Sequence, residues 1–463
     1  MKNDGGNGMQ FVKACDVKPG MRLAKPIYDR RGVLLYDRDI KITEPVMKSI
    51  EHFGLIGIYI LEPAEPLPPL SEDDIQFEKH QTMYLFLLIE CIEKIQTGVL
   101  PPQFHTLMTS IQKEYGQLDH LINFNQNLRS SDDFMYKHSI NTAILVTMLS
   151  HALMLSQEEK DCLLAVSLLY SVGYSTVPKH IMDKGTDLSD EEMDEIQRHL
   201  ENGYLGIQQR IPKNALPPKS MIMLEYYIFR NSRSQGQRFE KVAGQYVRLA
   251  SIISVASMYD QLTAINVNHE PLSEIMAMQV LKANPEKYAP DIVNALSDCI
   301  HIVPAGASVD LSNKTKGIVL VENEDDFMRP LILRIDNNQI YDLSNPVVFR
   351  NMQIVDIMKT MDNRIAIDEN TLKLFKADKR ITATADKFRR SAMRRREEAR
   401  KRAEEQKLEG TVQRSTNTQV DTEEIRKLLA VSTERQLLSE QAGSGTVSGQ
   451  TPAPAKKKKR KLM

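Results

Sequence analysis

The chain has no tryptophan and only four cysteines, Cys15, Cys91, Cys162 and Cys299. No two of them stand in a C-x-x-C spacing, which excludes a zinc ribbon or a dithiol redox motif and leads us to expect reduced thiols. Long hydrophobic runs are lacking too. The most apolar stretch, Met83 to Cys91, falls well short of the roughly 20 residues that a membrane-spanning helix needs. The first residues, Met1 to Gly8, contain no apolar core of the kind an export signal carries. Nor is there an excess of charge of one sign: 60 Lys and Arg stand against 61 Asp and Glu. No whole-chain field therefore selects nucleic acid or membrane. These absences together predict a cytoplasmic protein.

With 463 residues, 41% hydrophobic and 26% charged, there is room for two or three domains with buried cores. Residues 1–9 are polar and glycine-rich, and are expected to be disordered. Residues 10–62 read as a small α/β module. Asp29 and Gly32 turn a hairpin, Thr43 opens a helix with Glu44 and Pro45 in its first turn, and a strand follows at Ile58–Leu61. Prolines stiffen a linker over 63–71. A helical connector follows over 72–128, in two amphipathic helices, from Ser71 to about Gly98 and from Gln103 to Leu128.

Helical periodicity then dominates 129–303, with helices expected over 133–155, 157–171, 189–210, 217–230, 240–264, 272–283 and 290–302. After Pro304 the period shortens to two. Residues 304–350 read as a three- or four-stranded antiparallel extension, and 351–385 as its α/β continuation. From 386 to 463 the chain reads as a charged, largely disordered tail. Within it, Lys387–Glu409 can form a solvated single helix through i,i+4 pairs but has almost no apolar face to bury, Asp421–Leu438 has a better one, and Gly443–Ala455 is a flexible linker.

Four short motifs occur in order inside the helical part. They are His138-Ser139, then Leu168-Leu169 with Gly173 and Pro178, then His199 with Gly203, and finally Tyr259-Asp260 with Leu262-Thr263. Their order and separations resemble the HD-GYP family, bacterial enzymes that hydrolyse cyclic di-GMP. The resemblance covers roughly 130–345, and 10–62 looks like the small domain often fused ahead of such enzymes. It implies a mainly α fold: an HD-type helical bundle with a small N-terminal α/β module, a short C-terminal antiparallel β extension and a charged tail.

Members of that family hold iron or manganese on histidines and carboxylates, which activate a water to attack phosphorus. The resemblance places two such histidines at His138 and His199. Elsewhere the letters differ. The family's His-Asp pair is Tyr170-Ser171 here, its adjacent histidines are Tyr226-Tyr227, and its later aspartate is Ser257. The stretch that would carry Gly-Tyr-Pro reads Asn231 to Gly236, and the lysine after the glycine is Tyr174. A neutral phenol or hydroxyl cannot replace a bridging carboxylate. A single zinc on His138 and His199 would need a third ligand. The expectation is therefore no catalytic residue, no metal and no cofactor.

Function is then expected through binding: a catalytically inactive regulatory or scaffolding protein of bacterial signalling, with a protein partner such as a diguanylate cyclase. One alternative is a cyclic di-GMP sensor using a pocket of Tyr170, Tyr174, Tyr226, Tyr227 and Asp260. Another is a metal-dependent phosphohydrolase with an altered site. The basic run Lys456, Lys457, Lys458, Lys459, Arg460 and Lys461 suits contact with anionic membrane or nucleic acid, without aromatics for base stacking. A homodimer is left open.

Overall fold

The computed structural model describes residues 9–402 apart from 14–15, 29–30, 39, 53–56, 62–71, 125, 127, 130–132, 183, 185–187, 231–243, 267–270 and 358–377. The expected linker over 63–71, the Asn231–Gly236 stretch, the stripe over 421–438, the flexible 443–455 stretch and the basic run 456–461 lie outside the described residues.

The chain opens with β1 (Met9–Lys13), β2 (Arg22–Leu23), β3 (Ile27–Tyr28), β4 (Leu34–Tyr36), α1 (Glu44–His52) and β5 (Gly57–Leu61). Strand β5 lies between β1 and β2 in one small sheet, and β3 pairs with β4 as the expected hairpin. Val17, Leu23, Ile42, Val46, Ile50, Ile58 and Ile60 form a core of their own beneath α1.

Helices α2 (Glu72–Gln96) and α3 (Pro102–Tyr115) follow. Here the structure departs from expectation, because the second helix stops about thirteen residues early. Gly116 caps it, and the Asp- and Asn-bearing stretch beyond favours turns over helix. An extended strap then carries Ile122, Phe124, Gln126 and Arg129 into the protein interior, where a continued helix would have turned half of them to solvent. The strap ends in β6 (Leu128–Arg129), which pairs in parallel with β7 (Ile265–Asn266).

The bundle proper comprises α4 (Phe134–Ala152), α5 (Gln157–Leu169), α6 (Lys179–Met182), α7 (Asp190–Arg210), α8 (Ser220–Phe229), α9 (Gly244–Thr263), α10 (Glu274–Lys282) and α11 (Pro290–Ser297). Helix α4 has no polar face because it has no exposed one: nearly every residue from His138 to Ser150 is buried. Helices α2, α3, α5, α9 and α11 surround it. Ser156 and Ser189 start α5 and α7 through capping boxes with Glu159 and Glu192. Among the described residues no helix is long and apolar enough to cross a membrane.

Between α5 and α6 the chain turns tightly through Gly173, which is pressed against Gly203 of α7. A Cβ on Gly203 would meet Gly173 Cα at 2.6 Å, and one on Gly173 would meet the carbonyl oxygen of His199 at 2.6 Å. The two motif glycines thus serve one close backbone crossing.

The C-terminal strands β8 (Ser308–Leu311), β9 (Lys316–Val321), β10 (Leu331–Arg334), β11 (Gln339–Asp342) and β12 (Ile354–Ile357) form one sheet in the order β11-β10-β9-β8-β12, with α12 (Pro346–Asn351) between the last two. The sheet has one strand more than the meander expected, since β12 returns to pair antiparallel with β8. A second correction concerns the tail, whose helix starts earlier than expected and is docked rather than solvated. Residues 379–402 form a helix, α13, docked on this sheet. Ile381 and Phe388 pack on Leu320, Leu331 and Leu333, and Ala392 is fully buried. Those three positions lie on one helical stripe, but a window opened at 387 omits Ile381 and leaves Phe388 and Ala392 too few to read as a buried face.

The glycine crossing yields a paired prediction. Gly203→Ala should destabilise by about 1–3 kcal/mol, because backbone atoms on both sides leave a methyl nowhere to go. Gly206→Ala, whose Cβ would meet nothing within 4 Å, should be neutral or stabilise by up to about 1 kcal/mol through helix propensity. Urea denaturation of both variants measures the difference.

Candidate functional site

The centre of the bundle holds one imidazole gripped at both ring nitrogens. His138, from the second turn of α4, is fully buried, as is Asp260 of α9. Nδ1 of His138 lies 2.5 Å from Asp260 Oδ2, and Nε2 lies 3.1 Å from Ser257 Oγ. Ser257 and Asp260 stand three residues apart, so one face of α9 presents both groups to the same ring. In the neutral ring, Nδ1–H donates to the carboxylate and Nε2 accepts the Ser257 hydroxyl.

Asp260 is shared among more donors. Arg129 from the strap donates to both carboxylate oxygens, at 2.7 Å to Oδ2 and 2.5 Å to Oδ1. Asn141 donates to Oδ1 at 2.9 Å and Gln126 at 3.1 Å. Gln126 also donates to Thr263 and accepts from Arg129, while Gln81 of α2 donates to Asn141. The network ties the strap, α2, α4 and α9 together through direct hydrogen bonds. Burial alone would raise the Asp260 carboxyl, but Arg129 and His138 outweigh it and hold the group well below its ordinary 3.8.

The tyrosines form a second layer. The Tyr170 ring meets His138 edge-on with centroids 6.2 Å apart, Tyr174 at 6.1 Å and Tyr227 at 5.8 Å. Burial raises the Tyr170 phenol well above 10, with Tyr227 and Tyr174 adding to it, and burial pushes Tyr174 up to about 12. Both phenols therefore stay neutral. Among the described residues, the buried Tyr170 hydroxyl has no hydrogen-bond partner within direct bonding geometry. Arg230 stacks over Tyr227 at 4.0 Å and donates to Ser254. Tyr226 is buried beside it on α8.

The sequence-predicted residues are thus only partly brought together. His138, Ser257, Tyr170, Tyr174 and Tyr227 share one region, whereas His199 is half-exposed on α7 and bonds Thr176 Oγ1 through Nδ1 at 2.8 Å. Ser171 is buried and donates to the Leu168 carbonyl. Asp260 does not line the tyrosine pocket expected of it: it is enclosed and engaged by Arg129, His138, Gln126 and Asn141. Sequence reasoning missed Gln81, Gln126, Arg129 and Asn141, and it named Thr263 only as a motif residue without a role. Asn141 and Thr263 had a signal, each lying three residues after a motif residue on its own helix. Arg129 had none, since it stands at the boundary between the helix expected to end at Leu128 and the helical part expected from 129.

These residues do not fit a binuclear metal centre. Among the described residues no group of three or more His, Cys, Asp or Glu side chains is gathered where a metal could sit. Residues 124–292 match the HD domain family. This segment of the chain is thus an HD domain. The match begins within the strap, so Gln126 falls inside the HD domain together with Arg129, slightly ahead of the expected boundary at 129. A cyclic di-GMP phosphodiesterase of Pseudomonas aeruginosa is 24% identical over 207 residues, 44% of this chain and 49% of the relative. The chain thus spans about half the length of that curated relative.

Removing one partner of the buried pair should be costly. Arg129→Met should destabilise the HD domain by about 3–5 kcal/mol by stranding the Asp260 charge, and Arg129→Met with Asp260→Leu should recover much of that loss. The pH arm has a definite sign. A depressed carboxyl contributes stability that is fully present above its unfolded value and is lost as pH falls through the folded one. The wild type should therefore lose stability progressively below about pH 4, and Asp260→Asn should lack that component. Thermal melts across the acid range test it.

Proposed function

We propose that this chain is a catalytically inactive HD-domain protein of cyclic di-GMP signalling that acts as a regulator or scaffold through a protein partner. The observation that carries this reading is the state of His138. Its Nε2 faces the Ser257 hydroxyl, and its Nδ1 faces a carboxylate already held by Arg129. Metal-dependent hydrolysis requires a cluster of anionic oxygens around such an imidazole. Tyr170, Ser171, Tyr226, Tyr227 and Ser257 supply only neutral groups there. The similarity to a cyclic di-GMP phosphodiesterase supports the pathway, and a diguanylate cyclase or another signalling protein of the cytoplasm is the partner we infer.

A second reading is favoured by one observation. Among the described residues the buried Tyr170 hydroxyl lacks a partner, while Tyr174 and Tyr227 beside it are part-exposed. In a cyclic di-GMP sensor, a base would stack on these rings and a polar group would meet that hydroxyl.

Hydrolysis and binding assays separate the readings. With manganese or iron supplied, the full chain should not turn over cyclic di-GMP. Turnover that disappears in His138→Ala would instead mean an active phosphohydrolase with an altered centre. Saturable cyclic di-GMP binding weakened by Tyr170→Ala would favour the sensor, and no binding at high micromolar ligand would leave the scaffold.

A further inference from the structure

Helix α13 (379–402) is the most asymmetric charged surface among the described residues. It carries eleven Lys and Arg against three acidic residues, Asp386, Glu397 and Glu398, in a chain whose net charge is only -1. Its two long faces are used differently. The inner face is apolar at Ile381, Phe388 and Ala392. It ends in a fixed ion-pair cluster, where Arg395 reaches Asp298 at 2.6 Å and Asp325 at 3.0 Å, and Arg396 reaches Asp298 at 3.2 Å and Glu324 at 3.0 Å. Those contacts consume the inward arginines and hold the helix against the protein.

The outer face is left basic. Arg380, Lys387 and Arg394 recur at seven-residue spacing, with Arg390 between the last two, and all four are exposed. The Arg394 side chain is 78% exposed, and its nearest acidic oxygen, on Glu398, is 3.9 Å away. At a rise of about 1.5 Å per residue these positions span roughly 20 Å of one helix edge.

We propose that this outer edge of α13 is a docking ridge for the phosphate backbone of a nucleic acid duplex. Three features favour that partner. The ridge is mostly arginine, whose planar fork suits phosphate oxygens. The helix is already formed and fixed, so binding does not have to order it. Its apolar side is buried in the sheet, so it has no face to insert into a lipid surface, which interfacial helices require. The duplex form follows from the aromatics: Phe388 is the helix's sole aromatic residue and is buried, leaving no ring on which a single-stranded base could stack. Binding through phosphates alone would be indifferent to sequence.

The test is fluorescence anisotropy of the full chain with a labelled DNA duplex of about 20 base pairs and arbitrary sequence, titrated at several salt concentrations. A variant with Lys456–Lys461 replaced by alanine and glycine removes the second basic segment from the comparison, and it should still bind. On that background, Lys387→Glu with Arg390→Glu and Arg394→Glu should weaken binding at least tenfold at low salt. The milder Lys387→Gln, Arg390→Gln, Arg394→Gln variant should make the logarithmic salt dependence shallower by about two to three units. It also serves if the charge reversal perturbs folding, which thermal melts would reveal. Affinity unchanged in both triple variants would overturn the proposal. So would loss of duplex binding in the tail variant alone, or α13-dependent capture by phosphatidylserine vesicles without any duplex binding.

Discussion

A carboxylate removed from water must find donors for its oxygens or give up its charge, and Asp260 has found them on every side. The guanidinium of Arg129 and the amide of Gln126 from the strap, and the imidazole of His138 and the amide of Asn141 from α4, converge on it. Breaking any one of these contacts leaves polar atoms stranded where water cannot reach, so the contacts hold as a set. The set decides where the strap runs, since Arg129 has to leave the surface to complete it. It fixes how α4 and α9 face each other, and through Ser257 it decides what His138 can do. Packing alone would let apolar helices slide over one another; these directional bonds set one register.

The bundle was largely legible because its signals are local or repeated. Capping boxes at Ser156 and Ser189 start two helices where expected, and the switch to a period of two after Pro304 marks the sheet. The motif glycines were legible as a frame, although only the structure shows that Gly173 and Gly203 are two halves of one contact. What escaped was whatever depends on residues distant in sequence. Periodicity extends a helix through 116–128 because nothing local says that Arg129 has a partner 131 residues away. Likewise a run of arginines reads as solvated until Asp298 and Asp325 are found beneath it.

The candidate site shows the same division. The sequence indicates which side chains stand in place of the ligand types that the HD-GYP resemblance leads one to expect. It does not indicate that Asp260 is sealed away from the tyrosines, or that His138 is anchored at both nitrogens. Those are matters of geometry, and they move the account from missing ligands to a site whose remaining imidazole is employed in holding helices together. His199, the other imidazole of the resemblance, serves only a local bond to Thr176 near the glycine crossing.

The central claim, that the interior of this HD domain is a structural network rather than a metal centre, is tested most directly by elemental analysis. The full chain would be purified anaerobically from cells supplied with both iron and manganese. The account predicts neither metal above trace levels, in the wild type and in His138→Ala alike. A stoichiometric amount of either metal in the wild type, lost in His138→Ala, would contradict it and would mean that the His138–Ser257 contact opens to admit an ion.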